Sequence, residues 1–318
     1  MPVDGAHGAL TDQEIAMQLG MVGLGRMGGN MARRLRRGGV ELAAYNRELA
    51  VAEQLAQETG LFAAESIAAL IEKLDPPRVV WLMLPAGNVT QQHIDDIGGR
   101  LEPGDIIVDG ANSLYKDSVA RGQKATERNI YFIDAGVSGG VWGLDEGYAL
   151  MVGGEIEAVT QIEPILKILA PAPDRGWLHC GPVGSGHFVK MIHNGIEYGM
   201  MQAFAEGFAL LKGREEFDLD LAKISEMWRH GSVVRSWLLD LTTSFLAQDQ
   251  ELADVEAFVA DSGEGRWTVI EAIEQGIPAP VISLALSMRF ASQGQQDYSS
   301  RVLAKMREAF GGHPIKTR

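Results

Sequence analysis

The chain has 318 residues, 28 basic and 42 acidic side chains, a net charge of −14, 46% hydrophobic residues and one cysteine. That length predicts two domains or one large one. The acidic balance argues against nucleic acid and anionic membranes as partners, and one thiol excludes an intrachain disulfide framework or a thiolate zinc cluster. No stretch is apolar and long enough to span a bilayer. The polar N-terminal stretch lacks the basic-then-apolar pattern of a signal peptide. A cytoplasmic protein without membrane partners is expected.

Residues 1–16 begin rich in Gly, Ala and His and are expected to be flexible. Met17 to Val22 reads as a strand, followed by G-L-G-R-M-G, with Gly23, Gly25 and Gly28 in the GxGxxG spacing. A helix is predicted from Met27 to about Arg37, and a second strand from Val40 to Tyr45. Strand, glycine turn, helix and strand in this order make the motif credible as a dinucleotide site. The first Gly permits the tight turn, the second admits the diphosphate and the third lets helix and strand pack closely. The helix N-terminus then offers free N–H groups to the anion. Gly23, Gly25, Arg26, Met27 and Gly28 are the candidate cofactor-binding residues of this turn.

The second strand ends Tyr45-Asn46-Arg47-Glu48. An acid at the strand end binds the ribose 2′-hydroxyl of NAD, whereas a nearby Arg accommodates the 2′-phosphate of NADP. No acid closes this strand. Asn46 suits either ribose, Arg47 can pair with a phosphate, and Glu48 opposes one. NADP is the preferred expectation, with NAD permitted if Arg47 is merely solvated.

Ala50 to Thr59 reads as a helix. Arg78 to Leu84 reads as a strand whose end, Leu84-Pro85-Ala86, suits the nicotinamide. Asp105 to Asp109 is the next strand and delivers Asn112 just past its C-terminal end, where open α/β sheets bind ligands. Ile130 to Asp134 is another. After it, Ala135 to Gly140 reads as a glycine loop whose N–H groups and Ser138 hydroxyl suit a carboxylate. An ordinary Gly-rich loop is the alternative. Tyr148 to Val152 is expected to close the sheet, with a last helix over Gln161 to Leu169. Composition changes after Pro171-Ala172-Pro173. From there helical patterns dominate: His187 to Lys212, Leu219 to Trp228, Val233 to Phe245, Leu252 to Val259, Trp267 to Gln275, Pro280 to Ala291 and Ser299 to Ala309. The expected fold is an α/β N-terminal Rossmann-like dinucleotide-binding domain, residues 1–179. It joins through a long helix to an all-α C-terminal domain, residues 180–318, for substrate binding and dimerisation. Apolar Trp228, Trp237, Leu238, Phe245 and Phe258 are expected to bury some surface against a second subunit.

The stretch G-S-G-H-F-V-K-M-I-H-N-G-I-E-Y-G, Gly184 to Gly199, departs from an ordinary apolar helix. Lys190, Asn194 and Glu197 follow a helical period and share one face. Lys190 and Glu197 stand two turns apart, about 10 Å along the axis. That span suits gripping a small molecule at both ends of its reacting carbons; a solvated charged face is the alternative. Gly195 and Gly199 weaken the helix and imply that something packs closely there.

This helix resembles the signature helix of the decarboxylating 6-phosphogluconate dehydrogenases, within the β-hydroxyacid dehydrogenase superfamily. The resemblance extends to G-L-G-R-M-G-G-N at Gly23 to Asn30, N-R at Asn46-Arg47, V-D-G-A-N-S at Val108 to Ser113, G-V-S-G-G at Gly136 to Gly140, G-R-W-T at Gly265 to Thr268 and F-G-G-H at Phe310 to His313. The length is similar to the short-chain, bacterial form. The resemblance implies oxidative decarboxylation of 6-phospho-D-gluconate to D-ribulose 5-phosphate with reduction of NADP or NAD and without a metal, as in the pentose phosphate pathway and gluconate utilisation. It implies Lys190 as base and Glu197 as acid. It assigns Asn112, Ser138, Gly139, Gly140, His193 and Asn194 to the substrate carboxylate and hydroxyls. Tyr198, Arg289, Arg307 and His313 fall to the phosphate, the last two from the partner subunit of a homodimer or homotetramer. One departure is clear. Where long forms place a Lys and a Thr near the phosphate, this chain has Ser262 and Glu264, and Glu264 is repulsive to a phosphate unless Arg266 or a partner's Arg offsets it.

Lys190 must be neutral to take the proton of the 3-hydroxyl, which burial and closure over the cofactor can supply. A non-decarboxylating 3-hydroxyacid dehydrogenase and a catalytically silent NADP-binding sensor or scaffold are the alternatives.

Overall fold

The structure is a computed structural model that describes residues 17–294, 297–311 and 314–316. The N-terminal stretch expected to be flexible, and His313, lie outside the described residues. From residue 18 onward short apolar runs and helical periods alternate, and they fold as strands and helices in turn. In chain order these are β1 (Gln18–Val22), α1 (Arg26–Arg37), β2 (Glu41–Tyr45), α2 (Leu49–Thr59), β3 (Phe62–Ala64), α3 (Ile67–Glu72), β4 (Val79–Leu82), α4 (Asn88–Gly98), β5 (Ile106–Asp109), α5 (Tyr115–Thr126), β6 (Tyr131–Ser138), α6 (Gly143–Glu146), β7 (Ala149–Gly153), α7 (Ile156–Leu169) and β8 (Trp177–Gly181).

The strands form one sheet in the order β3-β2-β1-β4-β5-β6-β7-β8. The run from β3 to β6 is parallel, β7 is antiparallel to β6, and β8 runs parallel to β7. The chain turns outward in both directions from β1 and β4, so their C-terminal ends frame the crevice where such sheets bind ligands. Near-continuous apolar strands demand cover on both faces. Met31, Leu35, Leu55, Ile162 and Leu166 supply it on one side, and Leu70, Ile94, Ile97 and Ala125 on the other.

Two sequence expectations are corrected here. β7 does not close the sheet: β8, which the sequence reading passes over, forms its edge. The expected loop from Ala135 is a strand as far as Ser138, paired from Asp134↔Gly153 to Ser138↔Ala149. A partner strand that arrives later in the chain overrides the turn propensity of Gly136. Only Gly139 and Gly140 turn, both with positive φ.

Packing divides the chain into two compact units after Lys190, within the long helix α8 (Ser185–Lys212). The second unit continues with α9 (Leu221–Arg229), α10 (Trp237–Leu246), α11 (Glu264–Gln275), α12 (Pro280–Ser292) and α13 (Asp297–Gly311). The expected helix over Leu252 to Val259 does not form. Leu252 takes φ 50°, which ends any right-handed turn. α10 starts at Trp237 rather than Val233 because Ser236 caps it, accepting from Leu239 N–H at 3.2 Å. Tyr198, Ala285 and Leu286 form a small buried cluster, while Trp237, Phe245 and Phe258 are exposed. Among the described residues no helix is long and apolar enough to cross a membrane.

Candidate active site

In the first unit, the glycine turn separates into three physical roles. Gly23 has φ 93°, and a Cβ there would lie 2.5 Å from the Met83 carbonyl oxygen. A Cβ on Gly28 would lie 2.0 Å from the Gly23 carbonyl oxygen, whereas one on Gly25 meets nothing within 4 Å. The first and third glycines are therefore required by the close approach of β1, α1 and the end of β4. Gly25 leaves the approach to α1 open. No side chain caps that helix, so its first N–H groups are free for an anion. Gly25, Arg26, Met27, Gly28, Leu84 and Asn112 come together around a cavity of about 330 Å³ beside Gly110 and Val137. This cradle fits the diphosphate of a dinucleotide.

Asn46 accepts from Leu24 N–H at 3.1 Å and donates to the Glu48 carbonyl at 3.2 Å. Its side chain thus ties the glycine turn to the end of β2. Arg47 beside it is exposed, as are Pro85 and Ala86 after β4. Behind Asn112 lies a buried network. Arg121 on α5 pairs with Asp109 at 2.8 Å and donates to Ser113 at 2.9 Å and Gln91 at 3.0 Å. Asp109 also accepts from Ala111 N–H at 3.1 Å. The loop that presents Asn112 is therefore tied down from beneath.

Asp134, buried on β6, accepts from Gly184 N–H at 2.6 Å and His187 N–H at 2.7 Å, capping the start of α8 from a distant strand. Burial pushes its carboxyl above the usual carboxylate range. His187 and the two N–H groups oppose that shift, and the charge of Asp109 adds to it. His187 is itself buried, its Nδ1 2.7 Å from Ser118 Oγ. A Cβ on Gly186 would lie 2.4 Å from the Asp134 carbonyl oxygen, so the first turn of α8 rests directly on strand backbone. One turn later Lys190 is 7% exposed, packed where Gly136 has no side chain.

Further along the same helix, within the second unit, His193 Nδ1 lies 3.0 Å from Asn194 Oδ1 and 3.9 Å from Glu197 Oε2. The Glu197 side chain is 42% exposed. The expected close packing at the helix glycines is present. A Cβ on Gly195 would lie 2.7 Å from Thr268, and one on Gly199 3.2 Å from Val281. Thr268 donates to the Glu264 carbonyl at 2.8 Å and lies 3.0 Å from the Met191 carbonyl oxygen, which locks α11 to α8.

Tyr198 is buried, with its hydroxyl 3.2 Å from Ser262 Oγ and 3.5 Å from Asp261 Oδ1. The Arg289 guanidinium lies 3.5 Å from the centre of its ring and donates to the Ala260 carbonyl at 2.7 Å. Glu264 is 3% exposed and accepts from Ser262 Oγ at 2.6 Å. Arg266 pairs with Asp261 at 2.7 Å, so of the two possible offsets for Glu264 the one from Arg266 is not the arrangement found. Burial pushes the Asp261 carboxyl up, but Arg266 and the Gly263 N–H outweigh it and hold it below the usual range. Arg307 is exposed on α13. Asp134, His187 and Arg121 are not among the candidate site residues drawn from the sequence. Their signal is a charged or polar residue on the apolar face of a strand or helix. Among the described residues, no three His, Cys, Asp or Glu side chains are grouped as a metal site would require.

A largely parallel sheet in this order, with a glycine turn at its crevice, defines a dinucleotide-binding α/β fold. Residues 18–181 match the family described as the NAD binding domain of 6-phosphogluconate dehydrogenase. Residues 186–313 match the 6-phosphogluconate dehydrogenase C-terminal domain. The chain belongs to the 6-phosphogluconate dehydrogenase family. It is 41% identical, over 94% of its length and 98% of the relative, to an NAD(+)-dependent, decarboxylating 6-phosphogluconate dehydrogenase of Haloferax volcanii. It is 35% identical to an NADP(+)-dependent, decarboxylating one of Bacillus subtilis, covering 88% of this chain and 62% of that relative. Among solved structures it resembles Plasmodium falciparum 6-phosphogluconate dehydrogenase, described free, with its cofactor NADP+ and with its substrate 6-phosphogluconate. The TM-score is 0.81 at 30% identity, covering 95% of this chain and 66% of that one.

Proposed function

We propose that this chain catalyses the oxidative decarboxylation of 6-phospho-D-gluconate to D-ribulose 5-phosphate and carbon dioxide, with NADP or NAD as oxidant. The observation that carries the reading is the buried Lys190, seated against Gly136, with Glu197 two turns further along the same helix. When bound, the dinucleotide supplies the hydride acceptor. Gly25 and the N-terminus of α1 would hold its diphosphate. Lys190, neutral at that step, takes the proton of the substrate 3-hydroxyl as the 3-keto acid forms. The same group then returns the proton to the 3-oxygen as the carboxylate leaves as carbon dioxide, which steadies the developing charge. Glu197 protonates the carbon that has lost the carboxylate. Asn112, Ser138, Gly139, Gly140, His193 and Asn194 orient the carboxylate and hydroxyls, and Tyr198, Arg289 and Arg307 serve the phosphate end.

A homodimer or homotetramer is the proposed assembly. Apolar side chains such as Val233, Leu210 and Phe258 stand exposed on the helical unit, and one helical face carries an apolar groove of about 570 Å³ lined by Phe204, Phe208 and Trp228. NADP is the proposed preference, on the strength of Arg47.

The test is an assay of cofactor reduction with 6-phosphogluconate, run with each dinucleotide and with carbon dioxide trapped. Equal yields of reduced cofactor and carbon dioxide are expected. Lys190→Met should abolish both, and Glu197→Gln should slow turnover by roughly 10²–10⁴-fold, the usual worth of a positioned acid. Reduction without carbon dioxide would move the chain to the non-decarboxylating relatives. Tight cofactor binding without turnover would leave it a silent binder.

A further inference from the structure

The phosphate end of the proposed site is wired in an unexpected direction. Ser262 has one hydroxyl proton, and the contact of 2.6 Å with Glu264 Oε2 commits it to that carboxylate. Ser262 Oγ is then an acceptor, and the Tyr198 hydroxyl at 3.2 Å is its donor. The other partner within reach of Tyr198 is Asp261 Oδ1 at 3.5 Å, also an acceptor. In either geometry the single Tyr198 proton points back into the protein. What Tyr198 offers a ligand is an oxygen lone pair. A phosphate dianion needs donors, whereas a sugar hydroxyl is itself a donor.

The charges lead to the same result. Glu264 is 3% exposed on the first turn of α11, and the Asp261 side chain is 7% exposed. Arg266 is spent on Asp261, through two contacts of 3.1 Å and 2.7 Å. Arg289 lies over the Tyr198 ring with one arm on the Ala260 carbonyl. Among the described residues of this cluster, two carboxylates therefore balance two guanidiniums around Tyr198, so the cluster itself adds no excess positive charge to demand a dianion. This part of the chain is also well fixed. A Cβ on Gly265 would lie 2.3 Å from the Tyr198 ring, so α11 and Tyr198 cannot slide past each other cheaply.

We infer that Ser262 and Glu264 are specificity-determining residues that relax the demand for phosphate, so that the chain also oxidises the sugar acid lacking it. This rests on the function proposed above, and the chemistry is the same. The C3–H bond breaks to give a hydride to the dinucleotide, and the 3-hydroxyl proton goes to Lys190. The bond to the carboxylate breaks with its electron pair left on C2, and C2 then takes a proton from Glu197. From D-gluconate the products are a neutral ketopentose, carbon dioxide and reduced cofactor.

The experiment compares kcat/KM for D-gluconate and 6-phosphogluconate in the full chain, in Glu264→Gln and in Ser262→Ala. Sites built on dedicated hydrogen bonds reject the analogue lacking the bonded group by about 10⁴–10⁵-fold. Here the wild-type ratio is expected to lie within about a hundredfold. Glu264→Gln removes a buried charge at constant shape and should shift the ratio toward the phosphorylated acid by roughly tenfold. Ser262→Ala leaves the Tyr198 hydroxyl only its longer contact of 3.5 Å to Asp261 and should shift the ratio the same way, which keeps the test intact if Glu264→Gln fails to fold. Turnover of 6-phosphogluconate but not of D-gluconate would overturn the inference and leave the proposed function standing. An unchanged ratio in both variants would also overturn it. Turnover of neither acid would remove the proposed function together with this extension.

Discussion

A Cβ placed on Gly136 would stand 2.4 Å from the Cβ of Lys190 and 3.0 Å from its Cγ. Strand β6 and helix α8 meet at that point with no room for a methyl group, and the obstructing atom is fixed to the helix backbone. Gly136→Ala should therefore push Lys190 away from its position. Overpacking of this kind costs about 1–3 kcal/mol. The expected outcome is a folded enzyme with kcat lowered at least tenfold and KM for the cofactor little changed, read by steady-state kinetics alongside thermal unfolding.

The buried pair of Asp109 and Arg121, 0% and 3% exposed at the side chain, holds the loop that presents Asn112. Arg121→Met leaves a buried carboxylate without its cation and should destabilise the first unit by about 3–5 kcal/mol. Replacing both partners by apolar residues should cost much less, because no charge is then stranded. Differential scanning calorimetry of the single and double variants distinguishes the two outcomes.

Asp134 makes a prediction about pH. Its folded-state carboxyl is held above the ordinary value, chiefly by burial. Between the ordinary value and the raised one, the folded state binds more protons than the unfolded chain. Stability from this group therefore falls as pH rises through that window and returns as pH falls. Asp134→Asn removes the titration. Wild type should gain stability relative to the variant as pH is lowered toward the ordinary carboxylate value, measured by denaturant unfolding at matched pH. A difference that is constant or shrinks toward acid would contradict this.

Arg47 stands exposed past β2, where a 2′-phosphate would be read. Arg47→Ala should raise KM for NADP by about tenfold, equivalent to about 1.4 kcal/mol, with KM for NAD little changed. The NADP effect should weaken with added salt. Equal effects on both dinucleotides would assign Arg47 to adenine stacking instead.

Much of this protein is written in local pattern. The spacing of Gly23, Gly25 and Gly28 between an apolar run and a helical period determined the dinucleotide cradle, because turn geometry and helix start are set by neighbouring residues. The period of Lys190, Asn194 and Glu197 determined a shared helix face for the same reason, and Gly195 and Gly199 marked where α11 and α12 pack. Tertiary structure alone decided the rest. Gly136 reads as a loop residue until β7 pairs with β6 and Lys190 occupies the space above it. Asp134 caps a helix that starts fifty residues later. Glu264, beside the exposed Arg266, turns inward to Ser262 rather than pairing with it. Each of these depends on which distant segment arrives to fill a hydrogen bond or a volume, and no local period encodes that partner.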